Sequence, residues 1–212
     1  MSMDEVQLRA RGKGELVYAM RQKDTVMSRE PGPWGDIRRG FCAGLAMRWI
    51  WLRYGDRDYA FDPASLELDL PDWEATRDQN ILLDIHTAHK FELNQWRELY
   101  DKMAQASGMS LNKGRTLERH LTATGEMLRH AAEAGTGCYL INMYGASGHA
   151  VAMQRESGDV FRFFDANRGE FILRGGQRFT GFMDEYMTEV YKGRFSGLTC
   201  VAFINPPSRP PS

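Results

Sequence analysis

The stretch Ser147–Phe171, SGHAVAMQRESGDVFRFFDANRGEF, alternates in a way that only strands exploit. Val151, Met153, Phe161 and Phe163 fall at every second position, so two short strands would turn one apolar face inward. Between them, ESG at 156–158 carries Gly in third place, which suits a three-residue hairpin loop ending in a left-handed residue. A hairpin centred there pairs Arg155 with Asp159, Met153 with Phe161, Val151 with Phe163 and His149 with Asp165. Directly opposed Cβ atoms lie roughly 4.5–5.5 Å apart, close enough for a carboxylate to hold an imidazole. A slip of one residue in register would undo that alignment. Read without a third group, the same pair is equally a half-buried His and a turn-forming Asp.

Outward from this hairpin the strand pattern continues. CYLINMY (138–144), GEFILR (169–174) and LTCVAFI (198–204) are β-branched or aromatic runs set off by Gly, Asp and Asn, and GQRFTGFMDEYMTEVYK (176–192) is the helix that interrupts them. Upstream the period is helical. Phe41, Leu45, Trp49 and Leu52 mark one helix, and Leu82, Ile85, His89, Leu93, Trp96 and Tyr100 mark a helical region over 73–106. LERHLTATGEMLRHAAEAG (117–135) reads as an amphipathic helix ended by Gly135, and FDPASLELDLPDW (61–73) as irregular. Helices first and an antiparallel sheet later make an α+β domain. The expected division is a polar arm over 1–35, a catalytic domain over 36–205 and a disordered Pro-rich tail over 206–212.

The first of these helices begins with a cysteine, in RRGFCAGLAMRWIWLRYG (38–55). A packing cysteine would serve as well one or two turns further in. At the helix N-terminus, Cys42 feels the positive end of the helix dipole, which favours a thiolate, and Gly40 and Gly44 leave room for a substrate backbone. If His149 approaches Cys42, the two make a nucleophile and its base, with Asp165 fixing the imidazole tautomer.

Composition removes other classes. The 212 residues carry 27 basic and 28 acidic side chains, a net charge of −1, which gives no general drive toward nucleic acid or anionic membranes. Three cysteines do not make a disulfide framework, and Cys138 and Cys200 sit inside strand patterns as small core residues. His86 and His89 are three apart on an expected helix, with no evident third ligand, so neither a metal nor another cofactor is expected. No apolar run suits a signal peptide or a membrane span, and Ser2 in place of Gly does not encode myristoylation. The chain is expected to be soluble and without an integral membrane segment.

GFCAGLAMRWI, GHAVAM and FFDANRGEF, in that order, resemble the three motif blocks of the YopT-type cysteine proteases, papain-fold effectors that bacteria inject into host cells. The resemblance spans about 38–172. It implies a papain-like fold, with Cys42 as nucleophile, His149 as general base and acid, Asp165 as orienting carboxylate and Trp49 in the helix core. It further implies a secreted virulence factor that cleaves a specific host protein in the host cytoplasm. Two positions depart from the pattern. Asp36 stands where papain-like enzymes place an amide oxyanion donor about six residues before the nucleophile, and Ala166 stands where Pro is expected after the Asp. The same nucleophile would serve a deamidase or transglutaminase, and an idle fold would serve as a protein-binding module. Self-cleavage within the N-terminal arm is a further expectation.

Overall fold

The computed structural model describes residues 14–19, 21, 42–54, 61–62, 67–68, 98, 100–102, 104–105, 109–112, 117–121, 135–145, 148–191 and 194–204. In chain order these contain strand β1 (Gly14–Ala19), helix α1 (Cys42–Tyr54), strands β2 (Phe61–Asp62), β3 (Glu67–Leu68), β4 (Ser110–Leu111), β5 (Leu117–Leu121), β6 (Gly137–Gly145), β7 (His149–Glu156), β8 (Val160–Asp165) and β9 (Gly169–Arg174), helix α2 (Gly176–Val190) and strand β10 (Phe195–Ile204). The described residues between 98 and 105 are also helical. One eight-stranded antiparallel sheet runs β1-β9-β8-β7-β6-β10-β4, with β5 also on β10, and β2 pairs with β3 apart from it.

The alternation of the strands gives the sheet two apolar faces, each with its own core. On one face Leu140, Ala150, Ala152, Phe164 and Val201 pack with α1. On the other, Ile141, Val151, Met153, Phe161, Phe163 and Phe171 pack with α2. Helix α1 buries every residue from Ala43 to Ile50, as a helix enclosed on all sides should. Small residues from both elements share this core, Ala43 and Ala46 of α1 and Ala150 and Ala152 of β7. Helix α2 instead buries a stripe of Phe179, Phe182, Met183, Tyr186 and Met187 while exposing Asp184 and Glu185. Phe161 stacks on Phe179 with centroids 4.5 Å apart.

Four sequence expectations differ from this architecture. The stretch 61–73, expected to be irregular, holds the paired strands β2 and β3. The β7–β8 turn is Ser157–Gly158–Asp159, not 156–158: Glu156 pairs with Val160, and Met153 with Phe163. Asp159 itself takes φ 59 after Gly158 at φ 74, a conformation Asp tolerates better than most residues. From there its carboxylate accepts the Gly176 N–H at 2.7 Å and its carbonyl the Gly175 N–H at 2.8 Å, so the turn caps α2. Odd residues still oppose odd residues, and the inward face is unchanged.

Leu117–Leu121 is strand β5 rather than the start of a helix, pairing Leu121 with Leu198 and Leu117 with Cys200. A spacing of four puts two leucines on one side of a strand as readily as of a helix, and the open edge of β10 decides the outcome. The polar arm expected over 1–35 contains β1, which pairs with β9 from Gly14↔Leu173 to Ala19↔Gly169. Its burial alternates along all six residues, a strand period too short to stand out in a polar stretch. The tail 206–212 and the histidines at 86 and 89 lie outside the described residues.

Candidate active site

The sulfur, the imidazole and the carboxylate arrive from three elements. Cys42 is the first residue of α1, so its sulfur stands at the positive end of the helix dipole. His149 is the first residue of β7 and Asp165 the last of β8. The backbone N–H of Ala150, next to His149, donates to Cys42 Sγ at 3.4 Å and ties the helix start to the strand start. His149 Nε2 meets Asp165 Oδ1 at 3.0 Å. That leaves Nδ1 free of the carboxylate, and Cys42 is near enough for its charge to raise the His149 pKa. Thus the structure brings Cys42, His149 and Asp165 together.

The pair His149–Asp165 is made on a diagonal. The ladder opposes Ala152 to Phe164, so His149 is two residues offset from Asp165 on the same face. Diagonal neighbours have Cβ atoms roughly 7–8 Å apart, a gap that an imidazole and a carboxylate together span.

Both groups are withdrawn from water: His149 is 8% exposed and Asp165 0%. Burial works to lower the His149 pKa, but the Asp165 and Cys42 charges and hydrogen bonds to both residues outweigh it and raise it to about 10. Burial works to raise the Asp165 pKa, but the His149 charge and hydrogen bonds from His149, Tyr186 and Tyr191 bring it down to about 2. The imidazolium and the carboxylate are therefore the favoured forms near neutral pH. The imidazole also lies against Phe195, centroids 6.5 Å apart and nearly parallel, and against Tyr191 at 5.3 Å.

Sequence reasoning missed Tyr186, Tyr191 and Phe195. A signal existed for the tyrosines: Tyr186 stands in the apolar stripe of α2, where its hydroxyl would need a buried partner. Asp36, in the position of the expected oxyanion donor, lies outside the described residues.

At the far end of α1 and β7 a polar groove of about 700 Å³ is lined by Arg53, Tyr54, Gln154, Glu156 and Arg162. Two of its guanidiniums are tied internally, Arg53 to Gln154 at 3.0 Å and Arg162 to Glu156 at 2.6 Å, and its lining holds neither Cys nor His. Among the described residues no three His, Cys, Asp or Glu side chains converge as a metal site. None of the described helices is long and apolar enough to cross a membrane.

A family model described as Peptidase C58, Yersinia/Haemophilus virulence surface antigen, matches residues 14–198. The fold is similar to the crystal structure of the Pseudomonas avirulence protein AvrPphB, with a TM-score of 0.58 and 21% identity over 79% of this chain and 93% of that one. It is also similar to PatoxP, a cysteine protease-like domain of the Photorhabdus asymbiotica toxin PaTox, with a TM-score of 0.50 and 8% identity over 95% of this chain and 57% of that one. No curated protein matches the chain in sequence.

Proposed function

The chain belongs to the Peptidase C58 family of cysteine peptidases, and we propose that its peptide-bond chemistry is carried by Cys42 as nucleophile, His149 as general acid and base, and Asp165 as the carboxylate that orients the imidazole. The fold is papain-like, the reaction is that of a bacterial effector protease, and the substrate is a protein. The observation that carries the residue assignment is the position of His149, hydrogen-bonded to Asp165 at 3.0 Å, while the Cys42 sulfur accepts from the N–H of the next residue, Ala150, at 3.4 Å.

In this reading the Cys42 thiolate attacks the scissile carbonyl carbon and forms a carbon–sulfur bond. The His149 imidazolium gives its proton to the departing amine, and the carbon–nitrogen bond breaks. Water then attacks the thioester, passing a proton to the same imidazole, and the carboxylic acid leaves as the carbon–sulfur bond breaks. Asp165 keeps the ring turned so that the catalytic nitrogen faces the sulfur throughout. The substrate belongs to a host cell, reached by secretion into its cytoplasm, and the catalytic unit runs from β1 through β10.

Iodoacetamide alkylation of each cysteine, followed from pH 4 to 9 by peptide mass spectrometry, tests the assignment. Rapid labelling of Cys42 below pH 7, lost or moved upward in His149→Ala, is expected. Slow labelling that rises only near the ordinary thiol value of about 8.5 in both proteins would overturn it.

A further inference from the structure

Asp165 is enclosed more completely than the orientation of one imidazole requires. Its Oδ1 accepts from His149 Nε2 at 3.0 Å and from the Asn167 N–H at 2.8 Å. Its Oδ2 accepts from the Tyr186 hydroxyl at 2.6 Å and from the Tyr191 hydroxyl. Tyr186 lies in the last turn and a half of α2 and Tyr191 is the residue that caps the helix, so one element supplies both hydroxyls. The two rings pack against each other at 5.8 Å, and the Tyr191 ring also touches the imidazole.

We propose that Tyr186 and Tyr191 are positioning residues of the active site, which by donating both hydroxyls to Oδ2 stop the Asp165 carboxylate from turning and keep Oδ1 aimed at His149 Nε2. The proposal rests on the triad assignment above. A carboxylate's terminal torsion is broad and roughly two-fold, so a carboxylate held only at one oxygen swings. Held at both, it offers the ring a single orientation.

The chemistry of the cradle is one-sided. His149, Asn167, Tyr186 and Tyr191 present four donors to Asp165. Burial and then the Asp165 charge push both tyrosines well above their ordinary pKa, so the hydroxyls keep their protons. Such a cradle matches a carboxylate, whose two oxygens take all four donors; an amide would be satisfied there only if the tyrosine hydroxyls turned from donating to accepting. The titratable and charged groups around Asp165 are His149 from β7, Tyr186 and Tyr191 from α2 and its end, Cys42 through the imidazole, and Arg168 from the β8–β9 turn.

The alkylation profile of Cys42 tests this in the full chain, using Y186F, Y191F, the double variant and H149A, with an unfolding midpoint for each. Phenylalanine keeps the ring packing and removes only the donor. Each hydroxyl lost should raise the pH at which labelling falls off in acid by about one unit, the size expected of one charge-assisted hydrogen bond. In the double variant, labelling at pH 4 should slow by roughly tenfold, with the profiles converging above pH 8. A purely structural role would lower the unfolding midpoint and leave the profile in place, which would overturn the proposal. If the Phe variants superimpose on wild type while H149A does not, the positioning role is wrong and the triad stands. If H149A superimposes as well, both fall.

Discussion

The indole N–H of Trp49 on α1 donates to the Glu170 carboxylate on β9 at 2.8 Å, a bond buried across the face of the sheet. The other carboxylate oxygen accepts from Arg162 at 2.8 Å, and the indole ring stacks on Phe164 at 5.8 Å. The helix that carries Cys42 is thus keyed to the sheet by a polar contact as well as by apolar packing. Trp49→Phe would keep most of the ring stack but leave one buried Glu170 oxygen without its donor. The expected cost is about 1–3 kcal/mol in urea unfolding, with the pH profile of Cys42 labelling unchanged in shape. No loss of stability would mean that the bond contributes nothing net.

The imidazolium–carboxylate pair makes stability depend on pH with a definite sign. His149 has a folded pKa raised to about 10, so its contribution is complete below its unfolded value and fades as pH rises through the folded one. Asp165 has a folded pKa lowered to about 2, so its contribution is complete above its unfolded value and fades as pH falls through the folded one. The stability advantage of the wild type over His149→Ala should therefore peak between about pH 4 and 6.5 and shrink toward pH 10. Denaturant titrations at pH 5 and pH 9.5 check this, and an advantage that grew with pH would contradict the pairing.

Gly169 fixes the edge of the sheet. It has φ 117, and a Cβ built there would stand 1.9 Å from the Tyr18 carbonyl oxygen of β1. Gly169→Ala should cost at least roughly 1–3 kcal/mol in backbone strain and loosen the β1–β9 ladder. Amide hydrogen exchange should show β1 losing protection before β6 does.

Asp159 joins two tasks, a left-handed backbone and the cap on α2, and two substitutions separate them. Asp159→Ala loses both, whereas Asp159→Gly restores the backbone freedom and loses only the cap. The glycine variant should be the more stable of the two by about 1 kcal/mol, read from thermal or urea unfolding.

Proteolysis itself is read from new N-termini. Host-cell lysate treated with the protein should gain peptides with new N-termini that are absent after treatment with Cys42→Ala. A mass gain of about one unit on glutamine residues, with no chain cut, would point to deamidation instead.

The three groups proposed for catalysis were legible because they sit where local signals are strong. Cys42 opens a helix whose apolar run is continuous, and His149 and Asp165 lie on strands of clear alternation. The pairing between the two strands was off by one step in the turn, since nothing in ESGD shows that Asp159 will cap a helix that begins at Gly176. The contact His149–Asp165 survived the error because the correct register keeps odd residues facing odd ones and leaves the two side chains on a diagonal. Strands β1 and β5 were hidden for a different reason. Their partners, β9 and β10, are far away in sequence, and a short run such as GELVYA at Gly14–Ala19, set in a polar stretch, becomes a strand only when such an edge is available. The tyrosines behind Asp165 belong to the same kind of long-range fact: an apolar stripe announces burial, not what its hydroxyls will meet.

Strand β7 is a wall shared by two rooms. Ala150 and Ala152 answer to the core beneath α1, and Val151 and Met153 to the core beneath α2. No position among these four offers a side on which a bulkier or smaller residue passes unnoticed. A variant that repacks either room displaces the wall, and His149 stands at its end. Tolerance to mutation should therefore be lowest along this strand, and loss of activity there should precede loss of fold.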